Sequence, residues 1–256
     1  MFGIVKAELL KLFRRKGFLL LFVIVLLPFF YSICTLMGVS YITNLITLKI
    51  GFFNFCVQMM NISCELLIFP VFIALCAIQT QRGEIDNRSI RFYLQRVDKR
   101  SSVYLAKHIV IVISILLIFL LLLITCLICY YAVLSHQTKA DLLQGIGAYG
   151  GLTEMALLVS MFLYFTTIAF IGFSISTTFS AEVATGITAL VIVLLACIKE
   201  VPVLQILSPT YYIQQLSSSD GNFSTGQCVL SVLLLTISVC LFAYRIGCQK
   251  FARSDI

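Results

Sequence analysis

Long apolar runs dominate the chain and are separated by short clusters of charge. Uncharged segments extend from Gly17 to Leu48, His108 to Thr138, Met155 to Ala181 and Gly221 to Tyr244. Each exceeds the roughly 20 residues that cross a hydrocarbon core. With two further apolar segments, the pattern predicts six membrane-spanning helices, at roughly 18–38, 56–79, 108–134, 153–175, 182–201 and 227–246. Pro28 and Pro70 fall inside the first two and should kink them, as membrane helices tolerate. Ahead of the first span, Phe2, Val5, Leu9, Leu12 and Phe13 share one helical face, while Lys6, Lys11, Arg14 and Arg15 occupy the others. That pattern predicts an amphipathic helix lying in the membrane interface; a plain basic stop before a span fits as well.

The expected fold class is therefore all-α, a polytopic membrane protein. It forms a single transmembrane domain over residues 1–256, with an interfacial elbow at 1–17, a long loop at 79–107 and a second loop at 202–226. Composition agrees: 61% of the 256 residues are hydrophobic and 11% charged, and the mean hydropathy is +1.06. A soluble domain carries about 25% charged residues, so a soluble enzyme, a disordered chain and a secreted disulfide scaffold are excluded. Most of the ten cysteines lie inside apolar runs, where a free thiol packs as a small hydrophobe.

The net charge of +7 signals topology rather than nucleic-acid binding. Of the 18 Lys and Arg residues, all but Lys49, Lys139 and Lys199 fall before span 1, between spans 2 and 3, or after span 6. Positive residues stay in the cytoplasm, so both termini and the 79–107 loop are expected there.

Catalytic motifs are absent. No Gly is followed by Lys, which excludes a phosphate-binding loop and nucleotide hydrolysis on this chain, and no zinc-protease or hydrolase signature occurs. His108 and His136 stand at opposite ends of span 3 and cannot share a metal. Gly145-Ile-Gly-Ala-Tyr-Gly150 matches a dinucleotide pattern but follows a loop rather than a strand. No catalytic residue, metal or cofactor is expected on the chain.

Three segments carry candidate function. The 79–107 loop combines both charge signs with apolar residues, and a stretch of that kind outside the bilayer needs a partner surface, lipid or protein. On span 2, Asn54, Gln58, Asn61 and Glu65 recur at spacings of four, three and four, so a helix aligns them in one polar stripe. A carboxylate there costs roughly 2.5–3.5 kcal/mol on insertion scales and should face protein or water. The stripe fits a substrate path opening outward or a polar seam between helices. On span 5, Ala181, Thr185 and Ala189 recur every four residues and fit a close helix–helix contact.

In span order the whole chain resembles the membrane subunit of type-2 ABC exporters. The elbow carries Glu8, Lys11 and Arg14 in the family's Glu-x-x-Lys-x-x-Arg spacing. The loop after span 2 carries Glu84, Ser89, the apolar Phe92-Tyr-Leu94 and then Lys107 at the head of span 3. Leu207-Ser-Pro209 resembles a Leu-x-Pro segment near the outer face. Asn87-Arg-Ser89 and Asp98-Lys-Arg-Ser101 depart from the family pattern. The resemblance implies a permease half in a bacterial cytoplasmic membrane, paired with a second permease chain and driven by a separate ATPase subunit that holds ATP and Mg. Glu84, Phe92, Tyr93 and Arg96 would dock that ATPase, with Glu8, Lys11 and Arg14 adding contacts. Small members of this kind resemble lantibiotic-immunity, bacitracin-resistance and modulin-export permeases, which implies membrane-active peptides or amphiphilic antibiotics as cargo. The rival from another class is an ATP-independent secondary transporter, which would carry several buried ionisable residues and an inverted repeat.

Overall fold

A computed structural model of the chain describes residues 2–14, 22–37, 51–65, 67–86, 100–134, 151–217 and 223–253. Among these every regular element is helical: α1 (Phe2–Phe13), α2 (Leu27–Leu36), α3 (Phe52–Glu65), α4 (Ile68–Asp86), α5 (Arg100–Cys129), α6 (Gly151–Ile175), α7 (Ala181–Ile198), α8 (Pro209–Ser217) and α9 (Thr225–Arg253). A π-helical turn (Tyr130–Leu134) extends α5, and a 3-10 turn (Gln205–Leu207) precedes α8. Four helical segments are long and apolar enough to cross a membrane: Ser101–Val133, Gly151–Ile175, Ala181–Ile198 and Thr225–Phe251. The bent pair α3–α4 makes a fifth if counted as one span, and Phe22–Leu36 is a shorter apolar helix in the first predicted span. The chain is accordingly read as a multi-pass membrane protein.

The second predicted span is not one helix. It starts earlier, at Phe52, and breaks after Glu65, where the axes of the two pieces differ by 69°. Leu67 takes a left-handed φ of 54°, a conformation that costs an L-residue about 1–2 kcal/mol. Its amide donates to the Cys64 carbonyl at 3.0 Å, and its carbonyl receives the Val71 amide at 3.2 Å, so α4 restarts at once. Pro70 then falls in the first turn of α4, where a missing N–H is harmless. Pro28 behaves alike: it stands at the start of α2, just after the Phe22–Leu36 helix is interrupted at Leu26.

α6 is the central helix and packs against α9, α4, α8, α7, α3 and α5. Two-thirds of its most apolar window (67%) is buried, against 17% for α7 and for α9, so those two are peripheral. Hydroxyls along these helices bond back to their own carbonyls, as Ser160 does to Ala156 and Thr166 to Phe162; in lipid, polar groups need an internal partner. Thr167 reaches further, donating to the Thr236 hydroxyl of α9 at 3.2 Å.

Close approach is achieved in two places. Gly172 of α6 lies under Thr188 and Ile78, and a Cβ on Gly247 of α9 would overlap the Tyr104 hydroxyl. On α7 the buried residues are Ala184, Thr188 and Ile192. The expected contact face through Ala181, Thr185 and Ala189 is therefore displaced by one residue, about 100° around the axis. The three expected residues are only half-buried.

The boundaries of both loops also change. α4 runs on to Asp86 and α5 begins at Arg100, so both ends of the 79–107 segment are helical. Phe92, Tyr93 and Arg96 lie outside the described residues. Within 202–226, α8 packs against α6 and α9. Its start is anchored by Ser208 and Thr210, whose hydroxyls donate to the Leu195 carbonyl at 2.9 and 3.2 Å.

Candidate functional site

Two groups of polar side chains stand at the two ends of α4. The first joins three helices distant in sequence. Glu8 of α1 is 1% exposed, Glu84 near the end of α4 is 5% and Lys107 of α5 is 0%. Lys107 Nζ lies 2.5 Å from Glu84 Oε2 and 3.7 Å from Glu8 Oε2, and it donates to the Thr80 carbonyl at 3.2 Å. Lys11 Nζ bridges the same carboxylates from the rim, 3.1 Å from Glu8 Oε1 and 3.4 Å from Glu84 Oε1. Two anions and two cations thus form a neutral knot. Burying a charge without a partner costs several kcal/mol, and the knot avoids that cost while locking α1 to the ends of α4 and α5.

The sequence placed Glu8, Lys11 and Arg14 on the elbow and Glu84 on a docking face. The structure joins Glu8, Lys11 and Glu84 into one buried cluster and leaves Arg14 exposed at the end of α1. The Glu84 carboxylate is buried within this cluster. Lys107 completes the knot. Its sequence signal was its place at the head of a long apolar run, where an ionisable residue needs a named partner.

Next to the knot, His108 is enclosed by rings. Its centroid lies 4.5 Å from Tyr104, 4.5 Å from Phe170 and 4.3 Å from Phe173. Its Nδ1 lies 2.9 Å from the Tyr104 carbonyl.

The second group lines a cavity of about 450 Å³ at the break between α3 and α4. Its wall is formed by Asn61, Cys64, Glu65 and Leu67 around the break, Met161 and Tyr164 of α6, Ala196 and Lys199 at the end of α7, and Thr210, Ile213, Gln214 and Ser217 of α8. Asn61 and Glu65, half of the predicted polar stripe, therefore face a cavity. Asn54 and Gln58, the other half, are bonded to one another at 3.0 Å. Phe72 and Cys76, which an unbroken helix would carry on the same face as Glu65, belong to α4 and its different axis. Glu65 is exposed and forms no ion pair among the described residues, whereas Lys199 is 3.6 Å from Glu200. The contributions of Lys199, Tyr164 and Gln214 come from distant segments and had no signal in the local pattern.

Among the described residues no group of three or more His, Cys, Asp or Glu could hold a metal. No protein-family model matches the chain, and no curated protein matches it significantly.

Proposed function

We propose that this chain is the membrane-spanning subunit of an ATP-driven exporter in a bacterial cytoplasmic membrane, with six spans and both termini in the cytoplasm. It pairs with a second permease chain, identical or homologous, and with a separate ATPase subunit that binds ATP and Mg. Its cargo is membrane-active peptides or amphiphilic antibiotics. The observation that carries this reading is the knot of Glu8, Lys11, Glu84 and Lys107. An exporter driven from outside its own chain needs a rigid body that passes a partner's closure to the spans. A buried, charge-locked junction of α1, α4 and α5, flanking residues 87–99, is physically suited to that task.

In this reading Phe92 and Tyr93 fill a pocket on the ATPase and Arg96 orients the contact, since aromatic anchors dominate interface energetics. Glu84 acts from behind by holding the segment, with Glu8 and Lys11; Arg14 remains available at the surface. The test is purification of the tagged chain from its native membrane with its associated ATPase. Phe92→Ala with Tyr93→Ala should remove most of the co-purifying MgATP hydrolysis and the transport. Retention of the ATPase by the double variant would sink the docking assignment, and no ATPase with the wild-type chain would sink the exporter.

An ion-coupled secondary transporter is the second reading. In its favour stand Glu65 on a cavity wall and Glu154, 2% exposed, on α6. Transport that persists without ATP and collapses with the ion gradient would select it.

A further inference from the structure

We propose that the cavity at the α3–α4 break is a binding site for a cationic amphiphile, with the Glu65 carboxylate receiving an ammonium head. The inference deepens the exporter reading, on which it rests only for the role of the bound molecule as cargo. Size comes first: about 450 Å³ falls within the roughly 300–1,000 Å³ of small-ligand sites. Placement comes second. Interrupted helices at membrane depth occur where they line a cavity, and the ends of broken helices supply ligand groups there. Leu67, with its left-handed φ of 54°, lines this cavity directly.

Charge then selects the ligand. Glu65 has no ion-pair partner among the described residues, and Lys199 across the cavity has Glu200 at 3.6 Å. The wall therefore offers one uncommitted negative charge and no uncommitted positive one. Asn61 and Gln214 supply carbonyl oxygens that accept hydrogen bonds from an ammonium group. Tyr164 presents a ring, which attracts a cation through its face, and Met161 a polarizable thioether for the apolar body. An anionic head would meet Glu65 while Lys199 is held by Glu200, and a purely apolar molecule would bury the polar groups of the wall without hydrogen-bond partners.

The experiment uses the full chain in phosphatidylcholine nanodiscs, with empty nanodiscs as the partitioning blank and no ATP or ATPase present. Three probes share a dodecyl chain: dodecylammonium, dodecyl maltoside and dodecyl sulfate. The expected result is saturable binding of the ammonium probe at least tenfold tighter than the sulfate, with the maltoside between them. Glu65→Gln should weaken the ammonium probe about tenfold or more, the scale of a lost interaction with a charged group, while leaving the maltoside unchanged. Lys199→Gln should widen the ammonium-to-sulfate preference, because it frees the Glu200 carboxylate that Lys199 neutralises. Equal binding of ammonium and sulfate, or an ammonium affinity untouched by Glu65→Gln, overturns the proposal. If Glu65→Gln does not fold, Lys199→Gln decides alone: a preference that fails to widen overturns it. Because the ATPase is absent, these outcomes are independent of the co-purification that tests the exporter.

Discussion

The two ends of α4 handle their carboxylates in contrasting ways. At the Asp86 end, Glu8 and Glu84 are dry and each lies within 4 Å of two ammonium groups. At the Ile68 end, Glu65 borders a cavity with no ion-pair partner among the described residues. The residue type is the same, and so is the cost of placing it near lipid. What differs is the surroundings: fixed protein cations in one place and an open cavity in the other. A paired carboxylate resists change and serves as a fastener. One that faces a cavity has its interactions still to make, and these can be made with something that arrives.

The contrast is broken most severely at Lys107. Lys107→Met removes the fully buried one of the two cations that the carboxylates share and should destabilise the protein by about 3–5 kcal/mol, the cost of breaking a buried pair. A large drop in the detergent melting temperature, read by tryptophan-independent thiol labelling of the buried cysteines, checks it. Adding Glu84→Leu should recover part of the loss, and no recovery would mean that the two residues are not coupled. Next in size is Gly247→Ala, which drives a methyl group into the Tyr104 hydroxyl. Overpacking of this kind costs about 1–3 kcal/mol, and Tyr104→Phe should relieve it in part. The smallest effect is expected at the open end. Glu65→Gln should move stability by no more than about 0.5 kcal/mol, as changes away from buried networks do. A melting shift as large as that of Lys107→Met would place Glu65 in a structural seam and abolish the distinction.

The helices were legible where the chain is continuously apolar. The runs behind α5, α6 and α9 are too long for any alternative, that behind α7 is shorter, since only 16 residues separate Glu182 from Lys199, and the amphipathic pattern of the first 14 residues does form α1. The break in the second span was only half legible. Pro70 signalled irregularity, but a proline in a first turn leaves open where the preceding helix ends, and that point is set by the left-handed Leu67. Helical periodicity also fails to say which face looks inward. The small residues of α7 recur on two adjacent faces, and only the position of Gly172 and Ile78 selects Ala184 and Thr188 over Thr185 and Ala189. The knot was visible as four separate residues. Their pairing depends on three helices meeting, which no local spacing encodes. The cavity was visible from one wall alone, since Lys199, Tyr164 and Gln214 reach it from other helices.

Leu67 gives α4 the mechanics of a lever. From Ile68 to Glu84 the helix is a rod of about 24 Å, with its pivot beside the cavity and its tip clamped to α1 and α5. A swing of about 10° at the pivot displaces the tip by about 4 Å, roughly three-quarters of a helical turn. Such an arc exceeds what the Lys107 contacts can stretch to follow. Any such swing would have to carry α1 and α5 with it or unfasten the tip, and would also have to slide α4 against α6 and α7, on which it packs.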